Sequence, residues 1–342
     1  AEVLRDGVRI AEEHGLVALG VEARIDLAEV LELLGDIDGV VSALTRTLLD
    51  LPDVPEPDPL EVPRIRMDLA RVLAAAGRLG PARAELERAR HELPAAPHTV
   101  LDRATTDYLL GIVLRGLRHP LAALERLDVA VKAFAQADRP DLVALATRDR
   151  GAVLFSLGPG TATAAFGVFD AAEAFDAAAR AGYQAGDQWL ALACRIDAAQ
   201  VRGYAAAAGA TDELRRLRTE LVRAAESGAA PGQAELTFQM ARIDHALAHC
   251  ARASGQIAAA AELAEHALAG YRAAGADRAV AALSVDAGSW WWQAGDTGSA
   301  LRYLRGAMRS ARALGDGALI ARCHAALDSV GGSSHREADI AW

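Results

Sequence analysis

Apolar positions along this chain fall into helix-length stripes, taken in pairs and separated by short polar steps. The pairs recur at a nearly fixed interval. The clearest steps lie at Gly77, Gly255 and Gly295. Five, nine and twelve residues after each comes a small or apolar residue: Ala82, Leu86 and Ala89; Ala260, Ala264 and Ala267; Ala300, Leu304 and Ala307. Spacings of four and three place these side chains on one face of a helix. Weaker copies turn at Gly35, Arg118, Gly158 and Gly209, so that the intervals are 42, 41, 40, 51, 46 and 40 residues. A period of this size predicts a stack of helix pairs, each touching only its neighbours, and not a closed globular core.

The pattern predicts helices near 21–34 and 38–50, 64–76 and 80–93, 100–117 and 120–136, and 141–157 and 164–181. A degenerate unit follows near 187–225, then helices near 233–253 and 257–274, 277–294 and 297–314, and a closing helix near 317–329. Leu51 to Pro63 is acidic and proline-rich and reads as an extended link. Asp141, in the Asp138-Arg139-Pro140-Asp141 turn, reads as a helix cap. Residues 1–330 form the array, with Ser227 to Gly232 as a hinge between sub-arrays 1–226 and 233–330, and 331–342 is expected to be a flexible tail. Val3 to Gly15 aligns without a gap with Tyr303 to Gly315. The chain therefore reads as starting inside the second helix of a repeat, as a piece of a longer protein would; a lone capping helix is the alternative.

A small residue stands seven positions before several turns and a large one four before: Gly288 and Trp291, Gly111 and Leu114, Gly151 and Leu154, Ala70 and Leu73. This arrangement resembles the tetratricopeptide repeat family over about residues 1–330. The resemblance implies an all-α, right-handed α-solenoid of about seven helix pairs plus terminal helices. The unit of about 40 residues exceeds the roughly 34 of the simplest form. Joints such as Ala313-Leu314-Gly315-Asp316 resemble those of longer-unit arrays in bacterial signalling proteins, among them nucleotide-driven transcriptional regulators and repeat-bearing proteases.

Composition narrows the function. Ala, Leu, Arg and Glu dominate, all strong helix formers. The net charge of −10 disfavours nucleic acid and anionic membrane surfaces as partners. Three cysteines, Cys194, Cys250 and Cys323, sit far apart in apolar helical segments, which argues for a reducing, cytoplasmic setting without a disulfide framework. The uncharged stretch Gly151 to Phe169 contains Gly158-Pro159-Gly160 and reads as helix end, loop and helix start, not a membrane span.

Candidate chemistry lies on a second stripe of each first helix, thirteen, ten, six, three and two residues before the turn, which the resemblance implies lines a concave groove. There it carries Arg64, Arg71, Tyr108, Arg115, Arg148, Phe155, Arg242, His245, His249, Arg252 and Trp292. From the Gly77 unit onward this stripe holds six arginines and no carboxylate, whereas the first full unit has Glu22, Glu29 and Glu32. In the degenerate unit the stripe reads Ile196, Ala199, Gly203, Ala206 and Ala207. Arginine grips carboxylates bidentately and aromatic rings supply flat apolar area, so the expected ligand is a protein, an acidic peptide or a chain terminus. The acidic tail ending in Trp342 has that character and is a candidate for self-association.

The alternative reading is a sensory or autoinhibitory array of a larger bacterial regulator. Catalysis, cofactors and metals are not expected. The phosphate-loop Lys-Ser/Thr and the Gly-x-Ser-x-Gly elbow are missing, and His245 and His249, with His266 roughly level on the partner helix, lack the zinc-protease pattern. Of three consecutive tryptophans, Trp291 is expected in the core, Trp292 in the groove and Trp290 at the next interface.

Overall fold

The computed structural model describes residues 1–56, 58–157, 168–228 and 231–339, with side chains through Val330 apart from Val168. Among them are 16 α-helices, two short 3-10 helices and no strand. The first helices of the pairs are α2 (Val17–Leu33), α4 (Glu61–Ala75), α6 (Val100–Gly116), α8 (Pro140–Ser156), α10 (Gln188–Tyr204), α12 (Gln233–Ala253), α14 (Asp277–Gln293) and α16 (Gly317–Asp339). The second helices are α1 (Glu2–Glu13), α3 (Ile37–Asp50), α5 (Leu79–Glu92), α7 (Pro120–Gln136), α9 (Val168–Gln184), α11 (Ala210–Glu226), α13 (Ile257–Ala273) and α15 (Thr297–Ala313). The chain divides into two units, Ala1–Ala164 and Ala165–Trp342.

Within the first unit each helix packs on the next from α1 to α8, and α4 also meets α6 and α6 meets α8. The second unit runs likewise from α9 to α16, with α10 against α12 and α14 against α16. The spacing that marks the repeat is the packing stripe. Ala82, Leu86, Ala260, Ala264, Ala267, Ala300 and Leu304 are all fully buried. The small residue seven before the turn is where two helices approach most closely. A Cβ added at Gly111 would stand 2.6 Å from Leu127 Cγ, and one at Gly288 would stand 2.7 Å from Leu304 Cγ.

The turns explain the rhythm. Helix α4 closes with Gly77 N–H on the Ala74 carbonyl (3.0 Å) and Arg78 N–H on Leu73 (2.8 Å), a Schellman motif that needs positive φ at Gly77, here 75°. Arg78 is at once the N-cap of α5, so three residues suffice to reverse the chain. At the Gly-Asp joints the aspartate completes the arrangement. Asp36, Asp187, Asp296 and Asp316 each accept a hydrogen bond from the backbone N–H three residues on, at 2.8–3.2 Å.

Several expectations shift. The link is shorter than Leu51 to Pro63: a 3-10 turn takes Leu51–Asp53, and α4 begins at Glu61. Pro63 falls in the first turn of α4, where no helical donor is needed. Asp141 does not cap α8; Arg139 holds the cap position and binds the Asp141 carboxylate through two hydrogen bonds, at 2.9 and 2.6 Å. Helix α16 runs past 329 to Asp339. The Gly158-Pro159-Gly160 loop, part of the hinge and the end of the tail lie outside the described residues, as do all side chains beyond Val330.

The degenerate unit turns at Ala206, not Gly209. Ala206 takes φ 51°, with its N–H on Gly203 and the Ala207 N–H on Arg202. Gly209 is instead the N-cap of α11. An L-residue in this region is strained by roughly 1–2 kcal/mol. Ala206→Gly should therefore raise stability by about 0.5–1 kcal/mol after allowance for the looser unfolded chain, seen as a higher urea midpoint.

Candidate binding face of the first helices

In each unit the first helices lie side by side, and residues one repeat apart reach across from one to the next. In the first unit Arg71 (α4) grips Glu32 (α2) through both carboxylate oxygens, at 2.5 and 2.8 Å. Arg64 (α4) holds Asp102 (α6) at 3.0 and 3.2 Å. Tyr108 and Arg115 (α6) converge on Asp149 (α8), at 2.9 and 2.7 Å. Burial beside Asp149 pushes the Tyr108 phenol well above its usual range, so it stays a neutral donor. Arg148 is half-buried on α8, and Phe155 is 40% exposed near its end.

The second unit builds a denser arrangement. Arg242 (α12) binds Asp197 (α10) and donates to Gln200 (2.6 Å) and Gln239 (3.0 Å), with its guanidinium 5.9 Å from the Phe238 ring centroid. Next to it stand His245 and His249, one helical turn apart. The His245 Nδ1 lies 3.3 Å from the hydroxyls of both Tyr204 (α10) and Tyr271 (α13). The His249 ring meets Tyr204 edge-on at 4.4 Å and Trp290 (α14) at 5.0 Å. Burial drives both imidazoles down, His245 to about 3 and His249 to about 4, so both are neutral near pH 7. Asp286 (α14), raised by desolvation, takes a 2.9 Å hydrogen bond from Arg322 (α16). Arg252 is exposed, and its side chain forms no hydrogen bond or ion pair with another described residue.

The stripe is thus not a row of free cations. Arg64, Arg71, Arg115 and Arg242 already hold carboxylates of neighbouring first helices. Sequence reasoning missed the column nine residues before the turn. With the degenerate unit re-registered to Ala206, that column reads Asp26, Asp68, Asp149, Asp197 and Asp286 in five units, with Leu109 and Ala246 in the others. The same correction makes that unit's stripe Ala193, Ile196, Gln200, Gly203 and Tyr204, so that Ala199, Ala206 and Ala207 leave it and Ala193, Gln200 and Tyr204 enter. The three tryptophans divide between two core clusters. Trp290 is buried and meets His249, Trp291 is partly buried in the same core cluster, and Trp292 packs half-buried into the cluster formed by α14, α15 and α16. All three cysteines are buried and free. No described helix is long and apolar enough to cross a membrane.

Helix pairs of this length, closed by Schellman turns and stacked through small residues seven before each turn, define a tetratricopeptide-like repeat protein. No family model matches the sequence, and no curated protein matches it. Solved structures do. The apo form of RapI matches with a TM-score of 0.70 at 12% identity, over 91% of this chain and 80% of that one. Aspartyl phosphate phosphatase F from Bacillus subtilis gives 0.62 at 10% identity, over 88% of this chain and 73% of that one. A Rap protein complexed with Competence and Sporulation Factor gives 0.57 at 15% identity, over 88% and 76%. At these identities the likeness is one of fold.

Proposed function

We propose that the chain is a binding module that takes a peptide, or an extended segment of a protein, on the face formed by its first helices. The observation that carries this reading is the alignment of stripe residues one repeat apart, which makes a continuous charged and aromatic face in each unit. A structural neighbour crystallised with Competence and Sporulation Factor supports it at the level of fold. The ligand class we favour is acidic, with a free carboxylate. Its carboxylates would displace Glu32, Asp102 or Asp149 from arginines whose half-exposed pairs are each worth only about 0–1 kcal/mol, so the exchange is cheap. Bidentate geometry then selects carboxylate over other acceptors.

We read the module as non-catalytic, although the fold also serves a protein named a phosphatase. Free buried cysteines fit a reducing, cytoplasmic setting, and the net charge of −10 fits a partner that is not nucleic acid. Self-association through the tail stays a secondary proposal. The test is fluorescence anisotropy against an array of acidic peptides, with free or amidated ends, and of basic peptides matched in length. The expected result is binding confined to the acidic set and weakened at least about tenfold in Arg71→Glu/Arg115→Glu/Arg148→Glu, with helical circular dichroism unchanged; losing two or three arginine–carboxylate contacts accounts for that magnitude. Equal binding of the basic set, or no effect of the triple change, would refute it.

A further inference from the structure

The second unit gathers three side chains of metal-ligating type, two of them on the proposed binding face, whose capacity to hold a metal the peptide-binding reading does not call on. His245 and His249 stand four apart on α12, and Asp286 faces them from α14. One nitrogen of each ring and a carboxylate oxygen of Asp286 lie within 4.8 Å of one another. Ligands on one zinc ion, each about 2.1 Å from it, stand about 3.4 Å apart in tetrahedral geometry. Binding would need the two imidazoles to turn about their side-chain bonds to close that difference.

The surroundings point to a ligand. The His245 Nε2 is buried and has no hydrogen-bond partner. An orphaned buried polar atom is unfavourable unless something fills the place it faces. The other nitrogen of that ring lies at 3.3 Å from two tyrosine hydroxyls, Tyr204 and Tyr271. A proton on Nδ1 directed at either oxygen fixes the tautomer in which Nε2 offers its lone pair, the outer-shell arrangement that supports metal-bound histidines. Arg322 occupies only the Oδ1 oxygen of Asp286 and is itself exposed, so it can swing away. The remaining charges acting on the cluster are the exposed Arg252 and also Arg242, the latter already neutralised by Asp197.

We propose that His245, His249 and Asp286 bind one divalent transition-metal ion of the zinc class, tying α12 to α14. Two imidazoles and one carboxylate suit zinc, cobalt(II) or nickel(II), and leave at least one coordination position open to water or to a ligand carboxylate. The ion would fix the spacing of neighbouring first helices, and with it the width of the face they share. This inference stands apart from the peptide-binding reading: the cluster can hold a metal whether or not a peptide binds.

The test uses the full chain without a histidine tag, stripped with chelator and desalted. Zinc(II) and cobalt(II) are titrated in by calorimetry, and cobalt is followed by its visible d–d absorption. One ion per chain is expected. His245→Ala, His249→Ala and Asp286→Asn should each weaken it by about 100-fold or more, while Tyr271→Phe, which acts through His245, should lose about tenfold. Circular dichroism checks each fold. Should an alanine variant fail to fold, His249→Gln and Tyr271→Phe decide the matter. Zinc should also raise the thermal midpoint of the unchanged chain and not that of Asp286→Asn. Binding no tighter than that of the combined His245→Ala/His249→Ala/Asp286→Asn variant, or binding that survives all three single changes, overturns the proposal.

Discussion

Arg242→Ala is expected to destabilise the second unit by about 3–5 kcal/mol, the loss typical of removing one partner from a buried ion pair. The side chains of Arg242 and Asp197 are only 12% and 8% exposed. Removing the arginine takes from the buried Asp197 carboxylate the guanidinium that neutralises it and also frees the amide oxygens of Gln200 and Gln239. The comparison is Arg71→Ala, whose pair with Glu32 leaves 47% and 38% of the two side chains exposed. That change should fall within about 1 kcal/mol. Urea unfolding of the two variants checks the contrast, and equal losses would show that the Asp197 pair is hydrated in solution. Replacing the pair together, as Asp197→Leu/Arg242→Met, should recover most of the loss, because two apolar groups leave no unpaired charge.

Gly288→Ala should lower stability by about 1–2 kcal/mol, although alanine is the better helix former by about 1 kcal/mol. The new methyl would stand 2.7 and 2.9 Å from two carbons of Leu304 and 3.2 Å from the Ala300 carbonyl oxygen. Leu304 is fully buried and has no room to yield. Gly306, also within a helix, provides the opposite sign. Nothing lies nearer than 4.0 Å to a Cβ there, so Gly306→Ala should gain about 0.5–1 kcal/mol. The pair of thermal midpoints separates packing from propensity. A gain at both sites would mean that α14 and α15 do not approach as closely as the structure has them.

Why did the packing positions read so clearly from the sequence while the face did not? Burial leaves a local mark: Leu86 or Ala264 must be apolar and must recur at helical spacing, whatever else the chain does. Glycine marks most turns for an equally local reason, since it alone adopts positive φ without strain. That signal failed at Ala206, where alanine occupies the left-handed position and the nearest glycine, three residues on, opens the following helix. A three-residue error turns a helix by about 300°, a net offset of about 60°, which changed three of the five stripe positions of that unit and hid Asp197 and Tyr204. The pairing of Arg71 with Glu32 or Arg115 with Asp149 left no comparable trace. It depends on where residues 34 to 39 apart in sequence meet in space, and a count of charges along one offset cannot show it. The histidine cluster was half legible: His245 and His249 share a helical face by spacing alone, whereas Asp286, and not His266, completes the group because α14 is the next first helix along.

The three-residue turns leave no slack, since the residue that ends one Schellman motif caps the following helix. Inserting or deleting a single amino acid at such a joint would break the pair of backbone hydrogen bonds that sets how the two helices meet. Length changes during evolution or engineering therefore belong in the segment around Val54 to Leu60, where the chain leaves its 3-10 turn before α4 begins. A loop grafted there should be carried without disturbing the register of any helix pair.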